Sequence, residues 1–225
     1  GKSGNFALLR ETARYLALWM SYEDAIRVAD LKIRRNRFEQ VRKDAHVKDD
    51  QLVLINEFLH PRVEEFADIM PASIGGWLVN TTWARDLVNR LNKNGKVLNT
   101  SSISGFLQLY LVAGLRRWRR GALRFRRESR RIASWLGQIR ELASSDYALA
   151  CEVAECPHLI KGYGDTYLLG SRNFETLMSV ISSLRRSPDA ATRLRSLREA
   201  ALADDTGSKL AERLREFNLL PGGSS

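Results

Sequence analysis

Cysteine is scarce in this chain: only Cys151 and Cys156 occur among its 225 residues. That number excludes a disulfide-stapled scaffold and suits a reducing, cytoplasmic setting. It also falls short of the four thiolates of an ordinary iron–sulfur cluster, so the chain alone would hold none. On one helix the two thiols would stand about 140° apart around the axis and point away from each other. Histidine is nearly as rare, with His46, His60 and His158 only. Glu57-x-x-His60 followed by Glu64 has the form of half a carboxylate-bridged metal site, but no second Glu-x-x-His completes it. Pro61 would also interrupt the helix needed to align these ligands. His158 beside Cys156 reads as a helix-end packing pair, because no nucleophile signature accompanies it. Long hydrophobic runs are missing too. The longest, 105–115, is about 11 residues against the roughly 20 that span a bilayer. It reads as a buried helix. Because Arg116 and Arg117 follow it, a helix lying at a membrane surface is its alternative. There is no signal peptide and no initiator Met, and the opening GKSGN and closing PGGSS look like cut or appended ends, so the chain reads as a fragment.

What is present is an ordinary globular mixture with one unusual block. Hydrophobic residues make up 44% and charged residues 28%, and large apolar side chains recur along most of the length, which excludes a disordered chain. The length allows one large or two small cores. Residues 116–131 carry nine arginines and one acid, Glu128, a net +8 out of +10 for the whole chain. A block so cationic calls for an anionic partner or a well-solvated face. Arg116, Arg117, Arg119, Arg120, Arg124, Arg126 and Arg127 form a candidate basic docking face. It can attract an acidic protein, grip nucleic-acid phosphates, pair with acids of its own chain or a neighbour, or simply stay solvated. Nucleic acid is the weaker of these, since no helix-turn-helix, zinc ligand set or aromatic RNA-binding signature accompanies the charge.

The apolar periodicity is mostly helical and predicts helices over 6–20, 22–43, 63–70, 81–91, 147–155, 188–203 and 208–217. Ser21 with Asp24 resembles a capping box for the second, and Ser187-Pro188 starts the helix that ends near 203. Pro71 and Gly75-Gly76 are expected to separate the third and fourth. Residues 52–55 are too short an apolar run to assign, 92–95 form a turn, and 96–100 an extended link. A long amphipathic helix is expected over 104–142. Its apolar stripe would comprise Leu111, Trp118, Phe125, Ile132 and Ile139, with Ala122, Ser129 and Leu136 beside them and the arginines opposite. Gly114 and Gly121 mark a kink or a close helix contact. Trp135 falls on the polar side, which hints that something covers that side. The expected class is all-α: a multi-helix bundle around a long arginine-rich helix, with at most one small extended hairpin. Residues 6–217 form a single helical domain, open to division into two sub-bundles near 92–101. Residues 1–5 precede it as a remnant and 218–225 follow as a flexible tail.

Lys161, Gly162, Tyr163, Gly164, Asp165 and Thr166 form the most unusual loop. Two glycines around a tyrosine permit positive φ, and Asp165 or Thr166 can cap a helix running to Leu184. The loop is either a structural turn or a contact for an anion or a subunit. It lacks the Walker spacing and no strand precedes it.

Several stretches carry a resemblance. Residues 6–30 (FALLRETARYLALWMSYEDAIRVAD), 159–166 (LIKGYGDT) with Arg172-Asn173-Phe174, 60–65 (HPRVEE) and 114–121 (GLRRWRRG) look like the C-terminal part of indolepyruvate ferredoxin oxidoreductase beta subunits. The likeness extends over about 6–185. One departure is Tyr167-Leu168-Leu169, where relatives tend to carry His and charged residues. The resemblance implies an accessory, non-catalytic part of a 2-oxoacid:ferredoxin oxidoreductase. Such an enzyme decarboxylates an aryl 2-oxoacid on thiamine diphosphate, passes electrons through 4Fe–4S clusters to ferredoxin, and forms an acyl-CoA. Those cofactors are expected elsewhere in the complex, and no catalytic residue is carried over. Other domains or subunits, and an acidic partner such as ferredoxin, are the implied partners. A helical module binding an anion, whether CoA phosphates or nucleic acid, is the alternative.

Overall fold

A computed structural model describes residues 6–22, 24–48, 51–59, 63–91, 96–162 and 164–219. Among these residues the chain forms twelve α-helices and two short strands. The first part comprises α1 (Ala7–Met20), α2 (Ala25–Lys32), α3 (Arg35–Asp44) and β1 (Asn56–Leu59). Next come α4 (Val63–Ile69), α5 (Ala72–Asn80), α6 (Thr82–Leu91), β2 (Lys96–Asn99) and α7 (Ile103–Gly114). The remainder holds α8 (Leu123–Leu142), α9 (Tyr147–Glu155), α10 (Gly164–Leu184), α11 (Ala190–Leu202) and α12 (Ser208–Glu216). The fold is all-helical, as the periodicity implied. It divides into two compact units, Gly1–Tyr22 with Arg131–Ser225, and Glu23–Arg130. A division is expected from the sequence near 92–101; the described residues of that stretch, 96–101, lie inside the second unit.

In the first unit α1 packs on α9, α9 on α11, α10 on α11, and α11 on α12. Its core is aromatic at the centre. The Trp19 ring meets Phe174 edge-on at 5.0 Å and lies 5.8 Å from Trp135. Trp135 is 1% exposed, and its indole N–H donates to the Val153 carbonyl at 2.8 Å. The side expected to be polar is therefore core, covered by α9. Helices α9 and α11 together bury an acid. Glu152 of α9 is held by Arg198 of α11 at 2.7 Å and by Arg195 at 2.5 Å, and Arg198 also reaches Glu155 at 2.7 Å. Removing a carboxylate from water is tolerated only with such partners.

In the second unit α2 packs on α7, and α4 packs on α5 and α6. Strands β1 and β2 pair antiparallel, Asn56 opposite Asn99 and Leu59 opposite Lys96. They are not a hairpin, because α4, α5 and α6 lie between them in sequence. Glu57 of β1 accepts hydrogen bonds from both Lys32 and Arg37. Those two anchors sit either side of the break between α2 and α3, where Arg34 is extended (φ −70°, ψ 137°) and the single helix expected over 22–43 divides. The start also moves: Asp24 caps α2 by accepting from the Arg27 amide at 2.8 Å, whereas Ser21 ends α1. Gly75 and Gly76 do not break α5. Gly75 allows α5 to lie against α4, since a Cβ there would come 2.3 Å from the Ala67 carbonyl oxygen.

The largest departure is the long central helix. It stops at Gly114, passes through two 3₁₀ turns, Leu115–Arg117 and Arg119–Gly121, and resumes at Leu123. Ala122 is extended (φ −68°, ψ 152°) and bridges Pro71, and the Leu123 amide donates to the Met70 carbonyl at 3.0 Å. These tertiary bonds outweigh helix continuation through Gly121, itself disfavoured by about 1 kcal/mol. The kink is realised and the close contact is not: among the described residues, no atom beyond the glycine's own chain neighbours and helix backbone lies within 4 Å of a Cβ placed on Gly114 or Gly121. The expected seven-residue stripe is accordingly cut, and Trp118 is 72% exposed.

Two predictions follow from this register and from the α11–α12 connection. Trp135→Ala should cost about 3–5 kcal/mol in urea unfolding, while Trp118→Ala should leave the midpoint unchanged; the continuous helix predicts the reverse order. Asp204 accepts from the Lys209 amide at 3.0 Å and the Thr206 amide at 3.0 Å, and these bonds hold its carboxyl at about 2, below the usual 3.8. A depressed carboxyl stabilises the fold above its unfolded pKa, and that contribution disappears as pH falls through the folded value. Asp204→Ala should therefore lower Tm at pH 7, and thermal circular dichroism should find the two proteins converging near pH 2.

Candidate functional site

The arginine block occupies two different settings once the helix is broken. Arg116, Arg117, Arg119 and Arg120 lie on the 3₁₀ connector, and Arg124, Arg126 and Arg127 on the first turns of α8. They do not share one helix face. Four of the seven turn toward acids of their own unit. Arg119 donates to the buried Asp24 at 2.6 Å, and Arg127 to Asp68 at 3.4 Å. Arg124 stands 4.0 Å from the buried Glu128, and Arg116 stands 3.9 Å from Asp30. Arg117, Arg120 and Arg126 are exposed and form no ion pair among the described residues; Arg130, one turn beyond Arg126, is the same. The docking face read from the sequence thus contracts to these side chains, with the exposed Trp118 among them.

The acids respond to their surroundings in opposite ways. Burial pushes the Asp68 carboxyl up from its ordinary value. Arg127 and Arg124 pull it back, while Glu128 and Glu65 push with burial. Asp30, more open, is held below the carboxylate range by the hydrogen bond from Arg34, with the charges of Arg34, Arg27 and Arg116 adding to it. Asp68 and Glu128 are a buried acidic pair that two guanidiniums make tolerable.

The other sequence candidates are distributed elsewhere. In the 161–166 loop Gly162 (φ 74°) and Gly164 (φ 57°) both use the left-handed region, and Tyr163 lies outside the described residues. Helix α10 begins at Gly164, so Asp165 and Thr166 sit inside its first turn. A carboxylate there complements the helix N-terminus and opposes a second anion. Glu57, the first residue of the half metal motif, is on a strand and engaged by Lys32 and Arg37, while His60 lies outside the described residues. Among the described residues no group of three or more His, Cys, Asp or Glu is placed to hold a metal ion. Cys156 is fully buried, and its Sγ donates to the Glu152 carbonyl at 3.3 Å. Burial raises its thiol to about 12, which keeps it protonated at neutral pH. His158 is exposed, with its ring 6.1 Å from Tyr15; burial first, then the charges of Lys161, Arg198 and Arg14, lower its pKa. No helix among the described residues is long and apolar enough to cross a membrane.

Two surface features of the second unit escaped the sequence reading. On α5 and α6, Trp77 (52% exposed) and Trp83 (64% exposed) meet edge-on at 5.6 Å, flanked by exposed Ile74 and Leu87. Their spacing, i and i+3 on one helix, i and i+4 on the next, was the available signal. The second is a groove beside α7.

The pairing pattern predicts different outcomes for neighbouring arginines. Arg127→Met should lower the urea midpoint, and more at pH 8 than at pH 4. A raised folded pKa means stability is lost as pH rises through it, and the missing cation moves that loss upward. Arg117→Met should leave the midpoint unchanged at both pH values.

Comparison with known proteins adds one positive result. No curated protein matches the chain, and no solved structure does. The profile of a family of unknown function (DUF6537) matches residues 1–180, and the chain belongs to that family.

Proposed function

We propose that this chain is a helical accessory domain of a thiamine-diphosphate- and iron–sulfur-dependent oxidoreductase of the indolepyruvate ferredoxin type. Its work there is assembly: it contacts the parts of the enzyme that carry the cofactors and the chemistry. The observation that carries this reading is the Trp77–Trp83 pair. Two large rings half or more exposed and packed on each other, with Ile74 and Leu87 beside them, have the character of an interface core lacking its partner. The resemblance of residues 6–30, 60–65, 114–121 and 159–166 with 172–174 to indolepyruvate ferredoxin oxidoreductase beta subunits supplies the identity of the assembly. On this reading thiamine diphosphate and the 4Fe–4S clusters belong to other domains or to the partner subunit.

A second role on the same reading is recruitment of an acidic partner, ferredoxin in such an enzyme. It is favoured by the exposure of Arg117, Arg120 and Arg126, which form no ion pair among the described residues. Cations free of internal partners raise association rates with an acidic protein. The competing reading, a helical module for anions such as CoA phosphates or nucleic acid, would use the same side chains without an electron carrier.

Two experiments separate these roles. In the whole oxidoreductase, Trp77→Asp with Trp83→Asp should prevent stable assembly by native mass spectrometry while leaving the helical circular dichroism of this chain intact. An assembled complex with normal turnover would end the assembly reading. The triple variant Arg117→Glu, Arg120→Glu, Arg126→Glu should assemble normally and slow reduction of ferredoxin at low ionic strength, the difference vanishing at high salt. Unchanged kinetics across the salt series would remove the recruitment role. Salt-dependent calorimetric binding of CoA or a short oligonucleotide would favour the anion module.

A further inference from the structure

The second unit carries a groove that the arginine surface and the tryptophan pair leave unexplained. Its walls are α3, residues 52–55 and α7, and it encloses about 520 Å³. Phe38, Leu52, Ile103, Phe106 and Leu107 make it apolar, and Arg42 is its one charged lining residue among the described residues. Phe38 and Phe106 lie 6.4 Å apart across α3 and α7, and Phe106 stacks on Tyr110 at 6.3 Å. Leu52 is 96% exposed and Ile103 83%.

The apolar surface continues beyond the cavity. Ile103, Leu107, Tyr110 and Leu111 are all exposed and repeat at helical spacing, a stripe about 12 Å long at the rise of an α-helix. Helix α7 has no charged residue on any face. Cations stand at both ends of this stripe. Arg42 donates to the Lys48 carbonyl at 2.9 Å and the Gln51 carbonyl at 3.3 Å, which fix its guanidinium beside the groove, and it forms no ion pair among the described residues. At the far end the connector follows α7, with Arg117 and Arg120 exposed.

We infer that this groove receives an amphipathic helix of a partner protein, with leucine-like side chains against α3 and α7 and carboxylates toward Arg42 and the connector arginines. Charge complementarity selects this occupant. A second copy of the chain would bring the same cations against themselves. A small carboxylate would fill the cavity and leave the stripe bare. A flat bilayer does not enter a concave groove. A helix laid along α7 satisfies the cavity, the stripe and both cationic ends, in the helix-in-groove mode. The inference concerns a different surface from the Trp77–Trp83 pair and holds whichever enzyme the chain serves.

The test uses the whole chain and four probes. They are a Leu/Glu-patterned helical peptide of about 18 residues, or five turns, its Leu/Lys counterpart, octanoate, and vesicles of phosphatidylcholine with phosphatidylserine. Fluorescence anisotropy should find saturable binding of the Leu/Glu peptide, with the Leu/Lys peptide about tenfold weaker or worse. Leu107→Asp and Arg42→Gln should each weaken the Leu/Glu peptide about tenfold, with circular dichroism unchanged. Leu107 is exposed, so its variant retains the fold even if Arg42→Gln does not. Equal binding of both peptides, no binding of the Leu/Glu peptide, binding of octanoate or vesicles alone, or a dimer dissolved by Leu107→Asp would each overturn the inference.

Discussion

A carboxylate taken out of water must be met by a cation or lose its charge, and that requirement organises much of this molecule. Asp24, Asp68, Glu128 and Glu152 are all buried. Each stands beside arginine: Arg119, Arg127, Arg124, and the pair Arg195 and Arg198. Such pairs add little net stability over apolar replacements, but they tolerate very little rearrangement, because an unmet buried charge costs several kcal/mol. They therefore act as geometric constraints. Asp24 ties the start of α2 to the connector after α7, and Asp68 ties α4 to α8. In the other unit Glu152 ties α9 to α11.

The connector is where this constraint meets the backbone. The Arg119–Asp24 bond, the bridge from Ala122 to Pro71 and the Leu123–Met70 hydrogen bond cannot coexist with an uninterrupted helix over 104–142. Breaking the helix changes what each half displays. Trp118, expected in the core, becomes a surface ring between exposed arginines. Residues of α8 come into a new register, so Trp135 turns inward and anchors to the Val153 carbonyl. The exposed stripe of α7 is set by the same geometry, since its opposite face is committed: Leu109 and Ala113 pack with Ala29 of α2, and Gly105 lies against the Asn99 carbonyl.

The arginine block consequently divides into structural and available members. The distinction is physical. A guanidinium beside a buried acid has its charge already matched, whereas Arg117, Arg120 and Arg126 stand exposed with no ion pair among the described residues. The surface apolar features belong with the available members. Trp77 with Trp83, and the groove beside α7, present large areas that water covers at a cost. Both lie in the unit Glu23–Arg130. The other unit directs its tryptophans, Trp19 and Trp135, into its core.

Helical class and most helix positions were legible in the sequence, because an amphipathic helix records its apolar face at a local spacing. The bounds of α1, α9 and α12 came close for that reason, as did the C-terminal end of α10. The breaks at Arg34 and at 115–122 were not legible, nor was the continuity of α5 through Gly75 and Gly76. Each depends on a partner on another element: Glu57 for Lys32 and Arg37, Pro71 for Ala122, and Ala67 of the preceding helix for Gly75. The candidate site followed the same rule. That the chain is helical, strongly basic at 116–131 and poor in cysteine was determined by the sequence itself, since composition and local spacing need no partner. Which arginines are matched, which tryptophans are buried and where an apolar groove opens were decided only by tertiary structure, because long-range pairing of buried charge and backbone overrides the register that local periodicity suggests.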